Sequence, residues 1–349
     1  MLPFAEWSRS FLKTPIIYIT ICITIPSMAL YIAQIVTIVR HKKFHNSFYA
    51  LFVMRAIPDW LGVFGSFYSY RFPVIIGALL YPIYTNFPNW MYGLALLFTE
   101  YTFQANNLVT ILMLLNRLSA IIMPMKHEKL WRKLLPFLTI FVYCMPIITC
   151  WPVFKMKGAI RMVSPNSTTD YNFSMAEAGD GPYLIYITYV CTVFSVIFMI
   201  LCVLINIATF VAYKQHLKKV RKNGSNNGDE IEKKLLIYAL ATFLGHFLFA
   251  SLYLVGIVLN SIDPPTMPVI FIYHPLIMDT GTVVLSSWLL LWASGIFRQQ
   301  LLKDFGIIRI NNVQTIRVNA PEGPRNNKHW ATNVSHQHTS SVQQMPTVS

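Results

Sequence analysis

Long apolar runs alternate with short polar ones along most of this chain. A bilayer core takes about 20 mostly apolar residues as helix. Seven stretches meet that length, at roughly 16–39, 47–68, 90–115, 134–154, 183–212, 235–259 and 269–294. The pattern predicts an all-α membrane protein built as a seven-transmembrane helix bundle. The stretch 71–88, RFPVIIGALLYPIYTNFP, is also apolar, but its three prolines predict a re-entrant or interfacial segment rather than an eighth span. After the seventh run, Phe297, Leu301 and Phe305 recur every four residues. That spacing predicts a short helix lying on the membrane surface. The expected organisation is an extracellular N-terminus over 1–15, the bundle and its surface helix over 16–305, and a disordered cytoplasmic tail over 306–349.

Composition strengthens this picture. The chain is 55% hydrophobic and only 12% charged, half the charge of an ordinary soluble domain. The net charge of +14 falls in short patches between apolar runs. It therefore points to anionic lipid head groups and a cytoplasmic protein as partners, not to nucleic acid. With the N-terminus outside, 21 of the 28 Lys and Arg fall on the inner side and six on the outer, Arg71 among the six. This bias sets the expected orientation. Two glycosylation sequons, at Asn166 and Asn172, fall in the 155–182 loop that the charges place outside. Cys22, Cys144, Cys150, Cys191 and Cys202 all sit in apolar segments and read as small buried hydrophobes. The N-terminal residues lack the pattern of a cleaved signal peptide, so the first apolar segment is expected to act as an uncleaved anchor.

Polar groups inside the spans carry the candidate chemistry. Glu100, Gln104 and Asn107 share one face of the third span. An ionisable group at mid-membrane costs roughly 2.5–3.5 kcal/mol even on lenient scales, so such groups should face the bundle interior. With His274 of the seventh span they form a candidate ligand pocket; the competing reading is interhelical hydrogen bonding. Arg55 and Asp59 are four residues apart and are expected to pair as an intramembrane ion pair. His246 and Asp279 also lie inside spans, and Pro26, Pro58, Pro146, Pro152 and Pro275 can kink theirs. No metal-ligand spacing, phosphate loop or nucleophile elbow is present. Neither an enzyme nor a bound cofactor is expected.

The third run ends in Asn116-Arg117 and is followed by a basic segment containing Lys126, Lys129, Trp131 and Arg132. Seven spans, an outside N-terminus and an arginine at this place resemble a G-protein-coupled receptor. Rhodopsin-like members carry Asp-Arg-Tyr there, whereas this chain reads Asn116-Arg117-Leu118. The run Asn116, Arg117, Pro124, His127, Glu128, Lys129 and Trp131 more closely resembles the nematode chemosensory serpentine receptors of the class gamma superfamily, which includes class V. The departures from the rhodopsin pattern are specific. No cysteine stands at the outer end of the third span or in the second outer loop, and the seventh span lacks Asn-Pro-x-x-Tyr.

The resemblance implies a plasma-membrane chemoreceptor, in sensory cilia, for a small odorant- or pheromone-like molecule. It implies signalling to a heterotrimeric G protein. Asn116 and Arg117 would then be the G-protein-facing switch, and Lys126, Lys129, Trp131 and Arg132 the cytoplasmic coupling loop. The rival expectation is an ion channel or transporter using Glu100, Arg55 and Asp59.

Overall fold

The computed structural model describes residues 2–162, 173–178, 182–222, 229–262 and 267–306. The chain separates into one unit over Met1–Ile308 and another over Arg309–Ser349, and every described element belongs to the first. The glycosylation sites Asn166 and Asn172, and the 306–349 tail beyond Gly306, lie outside the described residues.

The architecture is a helix bundle. Its elements are α1 (Leu2–Arg40), α2 (Ser47–Ser66), the short α3 (Phe72–Ile75) and α4 (Gly77–Thr85), α5 (Asn89–Ile122), α6 (Pro124–Cys150), α7 (Tyr183–Lys222), α8 (Asp229–Ile262), α9 (Met267–Asp279), α10 (Leu285–Ala293) and α11 (Gly295–Asp304). Helices suit apolar surroundings because each satisfies its own backbone polar groups. Among the described residues, six helical stretches are long and apolar enough to cross a membrane: those built on α1, α2, α5, α6, α7 and the α9–α10 pair. The remaining long helix, α8, carries the shorter apolar stretch Leu240–Leu252. The chain is a multi-pass, all-α membrane protein.

Burial ranks the helices. The most apolar windows of α2 and α5 are 61% and 50% buried, against 17% for α6 and 22% for α7. The first pair therefore forms the interior and the second pair turns mostly outward. Accordingly α5 packs against α2, α6, α7 and α8, while α1 closes the bundle against α9, α10 and α2. On α7, the exposed Val193, Ile197, Leu204, Ile207 and Phe210 form a surface suited to lipid.

Among the described residues, two wide turns interrupt the helices. A π-helical segment over Phe67–Arg71 joins α2 to α3, and another over Thr280–Val284 joins α9 to α10. Such turns shift the i→i−4 hydrogen-bond ladder and often mark functional positions.

The apolar 71–88 stretch is not a span. After Arg71 it breaks into α3 and α4, which pack at one end of the bundle against the second of two strands. Those strands, β1 (Gly158–Met162) and β2 (Phe173–Glu177), pair antiparallel with Gly158 opposite Glu177 and Met162 opposite Phe173. Phe173 is buried against Tyr84 and Tyr81, at ring separations of 5.1 and 5.9 Å. Glycine is required at 158 because a Cβ there would lie 2.2 Å from the Tyr92 ring. Pattern reading anticipated neither the hairpin nor the start of α1 at Leu2.

At the opposite end α5 stops at Ile122, and α6 starts at Pro124 after a single residue, Met123. The proline sits in the first turn of α6, where its missing N–H costs nothing. The expected coupling loop is therefore helix, not loop. α11 also differs from expectation. Phe297 and Leu301 are buried in the bundle rather than facing a membrane surface, and only Phe305 is exposed. Phe297 stacks on Tyr49 at 5.6 Å and meets Phe44 edge-on at 5.1 Å. The Ser294 hydroxyl caps α11 by accepting the Phe297 N–H at 3.3 Å.

Candidate functional site

Among the described residues, four groups of interior polar side chains stand out along the bundle. The first surrounds Arg55 and Asp59, both fully buried on α2. Four-residue spacing brings Arg55 Nε to 3.4 Å from Asp59 Oδ2. Tyr31 of α1 donates to the same oxygen at 3.1 Å. Arg55 Nη2 reaches the carbonyl of Gly281, in the second π segment, at 3.4 Å, and donates to His246 Nε2 on α8. A guanidinium only donates, so His246 accepts on Nε2 and its neutral ring carries the proton on Nδ1. This one arginine thus ties α2 to α8 and to the α9–α10 junction.

The second group joins Arg71 to Asp279. Arg71, expected among outer-side charges, is fully buried, and its Nη2 pairs with Asp279 Oδ2. Thr24 of α1 donates to the same carboxylate oxygen at 2.8 Å. The guanidinium also lies 4.5 Å over the Phe67 ring. Pairing is what makes either charge tolerable in an apolar interior. The sequence placed Asp279 inside a span without assigning it a partner. A buried acid inside a span requires a cation. Arg55 is already matched within its own turn, so Arg71, at the edge of an apolar run, was the signal available.

The third group contains the expected pocket residues Glu100 and Gln104. Gln104 Nε2 donates to the sulfurs of Cys150 and Cys191 at 3.4 and 3.6 Å, and its Oε1 accepts from Thr149 at 2.6 Å. Cys191 donates to Glu100 Oε2 at 3.0 Å. Here α5, α6 and α7 are bonded to one another, as polar side chains do between membrane helices. Asn107 is buried further along α5. His274 is buried with its ring 5.5 Å from Tyr70. The structure thus joins Glu100 and Gln104 through the Cys191 sulfur, while the Asn107 side chain has no hydrogen-bond partner among the described residues. All five cysteines are free thiols, with Cys22 and Cys144 exposed.

The fourth group is at the α5–α6 elbow. Arg117 lies with its guanidinium carbon 3.8 Å over the Phe48 ring of α2, a cation–π contact. Phe48 in turn meets Tyr238 of α8 edge-on at 5.6 Å. Asn116 is buried and donates to the Ser47 hydroxyl at 3.0 Å. Glu128 caps α2 through both oxygens, each 3.2 Å from the Ser47 N–H, and accepts the Ser47 hydroxyl at 2.9 Å. His127 bridges the Ser47 and Ser119 hydroxyls at 3.2 and 3.0 Å. Trp131 Nε1 donates to Ser119 at 2.8 Å. Trp131, expected in an exposed coupling loop, is instead buried in this network, while Lys126, Lys129 and Arg132 are exposed. Its ring is apolar enough to pack and its N–H finds an acceptor. Ser47, Ser119 and Phe48 carried no sequence signal because isolated serines and phenylalanines are common in spans.

Comparison with known proteins identifies a family. The Srg family chemoreceptor model matches residues 17–301. Among curated relatives from Caenorhabditis elegans, serpentine receptor class gamma-5 is 25% identical over 122 residues, covering 33% of this chain and 36% of that protein. Serpentine receptor class gamma-9 is 27% identical over 117 residues, covering 32% and 35%. Serpentine receptor class gamma-14 is 23% identical over 159 residues, covering 42% and 48%. The matches span less than half the length of these relatives. The family model covers most of the chain, with the Asn116-Arg117 elbow and both buried ion pairs inside its bounds, and the chain belongs to the Srg family of chemoreceptors.

Proposed function

We propose that this protein is a G-protein-coupled chemosensory receptor. A small organic molecule binds among the hairpin-side halves of the helices, near Glu100, Gln104, Asn107 and His274, and favours one arrangement of the bundle. The other end meets a heterotrimeric G protein. The N-terminus lies outside the plasma membrane, that of a sensory cilium, with sugar on Asn166 and Asn172.

One observation carries this reading. Arg117 lies near the end of the central helix α5 and stacks on Phe48 of α2, and α6, which follows after one residue, carries the exposed Lys126, Lys129 and Arg132. A helix rearrangement that separates Arg117 from Phe48 would change the surface those cations share. Coupling of this kind is typically about 1–3 kcal/mol.

The test is expression with a promiscuous G protein and a calcium readout, screened with volatile and soluble odorants. A ligand-dependent response is expected, and Arg117→Ala should abolish it with surface delivery intact. Normal signalling by that variant removes Arg117 from the mechanism. A current in a membrane holding this protein alone would favour the channel reading instead.

A further inference from the structure

The span built on α1 ends at Arg40, and the span built on α9 and α10 ends at Ala293. Both ends belong to the elbow side of the bundle, where Phe44 meets Phe297 edge-on and Phe297 stacks on Tyr49 at the start of α2. Exposed cations follow both: Arg40, then Lys42 and Lys43 in a short 3-10 turn, Lys42–Phe44, and Arg298 and Lys303 on α11. The turn and α11 are bonded together. Lys43 Nζ donates to Gln300 Oε1 at 2.7 Å, and His41 meets Asp304 at 2.9 Å. Lys303 lies three residues after Gln300 and so shares its face of α11. Asp304 is the one acid in 40–45 and 295–304, and it is already held by His41 and Gln300. Among the described residues, none of the five cations has an ion pair, whereas on α6 Arg132 faces Glu128 at 3.4 Å.

The corner of α1 and α11 therefore carries positive charge without its own counter-charge. What lies next to it decides the partner. Val39 directly precedes Arg40 and is 63% exposed, and Ile296, two residues before Arg298, is equally so. Trp292 is exposed as well. Such side chains suit acyl chains, which puts the adjoining cations at the level of lipid headgroups. Clustered cations at the end of a span attract anionic lipid, and one headgroup bearing several charges replaces several lipids that would each have to be gathered there. We propose that this corner binds the headgroup of a polyphosphorylated lipid of the inner leaflet, its phosphates held by Lys42, Lys43 and Lys303 with Arg40 and Arg298 alongside. The lipid bridges α1 and α11 and stabilises the docked position of α11. The choice of leaflet rests on the outside N-terminus proposed above, but binding in a nanodisc, where both leaflets carry the lipid, does not.

The experiment melts purified full-length protein in nanodiscs of phosphatidylcholine, alone or with phosphatidylserine or phosphatidylinositol bisphosphate added to equal total charge. The melting temperature is expected to rise by a few degrees with the bisphosphate lipid, to saturate, and to rise less with phosphatidylserine. Lys42→Gln with Lys43→Gln changes only exposed side chains and should lose most of the bisphosphate increment. Lys126→Gln with Lys129→Gln, on α6, should keep it. Equal rises with the two lipids would mean diffuse charge attraction and overturn the site. An increment kept by the first variant, or lost equally by the second, overturns its location. The same rise from soluble inositol trisphosphate in detergent would make a free phosphate ester the ligand and overturn the lipid assignment. A negative result here leaves the receptor reading standing, and a silent odorant screen leaves this result standing.

Discussion

Arg71 and Asp279 meet at the junction of two π-helical segments, 208 residues apart in the chain. Arg71 closes the segment over 67–71, and Asp279 immediately precedes the one over 280–284. Each wide turn redirects the residue beside it, and the buried ion pair joins them. Removing one partner leaves an uncompensated buried charge, at a cost of about 3–5 kcal/mol. Arg71→Met alone is therefore expected to lower the melting temperature sharply, and Arg71→Met with Asp279→Leu to recover most of the loss. Additive effects of the two substitutions would show that the pair is not coupled.

The close approach of α8 to the second π segment makes a separate prediction. A Cβ on Gly281 would lie 2.9 Å from the Gly245 carbonyl oxygen, which as backbone cannot swing away. Gly281→Ala is expected to destabilise by about 1–3 kcal/mol, as overpacking does. Gly295 has nothing within 4 Å of its would-be Cβ. Gly295→Ala should be neutral or stabilise by about 0.4–1 kcal/mol. Melting curves of the two variants decide the matter, and equal effects would contradict the packing described.

Glu128 holds the start of α2 from the base of α6. Glu128→Ala should cost about 0.5–2 kcal/mol, the range for losing a cap. Hydrogen exchange should localise the loosening to Ser47 and the first turn of α2. Protection unchanged there would mean that Asn46, whose side chain accepts from the Tyr49 N–H at 3.2 Å, suffices alone.

α11 is clamped at its end by Asp304, which faces His41 at 2.9 Å and Gln300 at 2.8 Å. Partial burial pushes the Asp304 carboxyl up, but hydrogen bonds from Gln300 and His41 more than offset this and hold it below its ordinary value of 3.8. A depressed acid contributes stability that is fully present above its unfolded value and fades as pH falls through the folded one. Docking of α11 should therefore hold at neutral pH and weaken below about pH 4. Hydrogen exchange over 297–304, corrected for the intrinsic pH effect, measures it. Asp304→Asn should remove this acid-dependent part, and a variant with the wild-type profile would assign it elsewhere.

The bundle was legible in the sequence because an apolar run of bilayer length is suited to lipid and is rarely needed elsewhere. Arg55 and Asp59 were legible for a local reason, since four-residue spacing brings side chains together on any helix. Arg71 was misplaced for the complementary reason. Its partner is distant in the chain, and a π turn leaves no periodic mark in composition. The elbow misled differently. Pro124 and a cluster of cations read as a loop, yet a proline in the first turn and cations on an exposed face are equally compatible with a helix. Trp131 could be placed only once Ser119 was seen to accept its N–H.

The single residue between α5 and α6 has a mechanical consequence. Two stiff rods hinged through one joint cannot turn separately at that joint. Any twist of the central rod about its axis is handed on as a swing of the outer rod's foot, where Lys126 and Lys129 project.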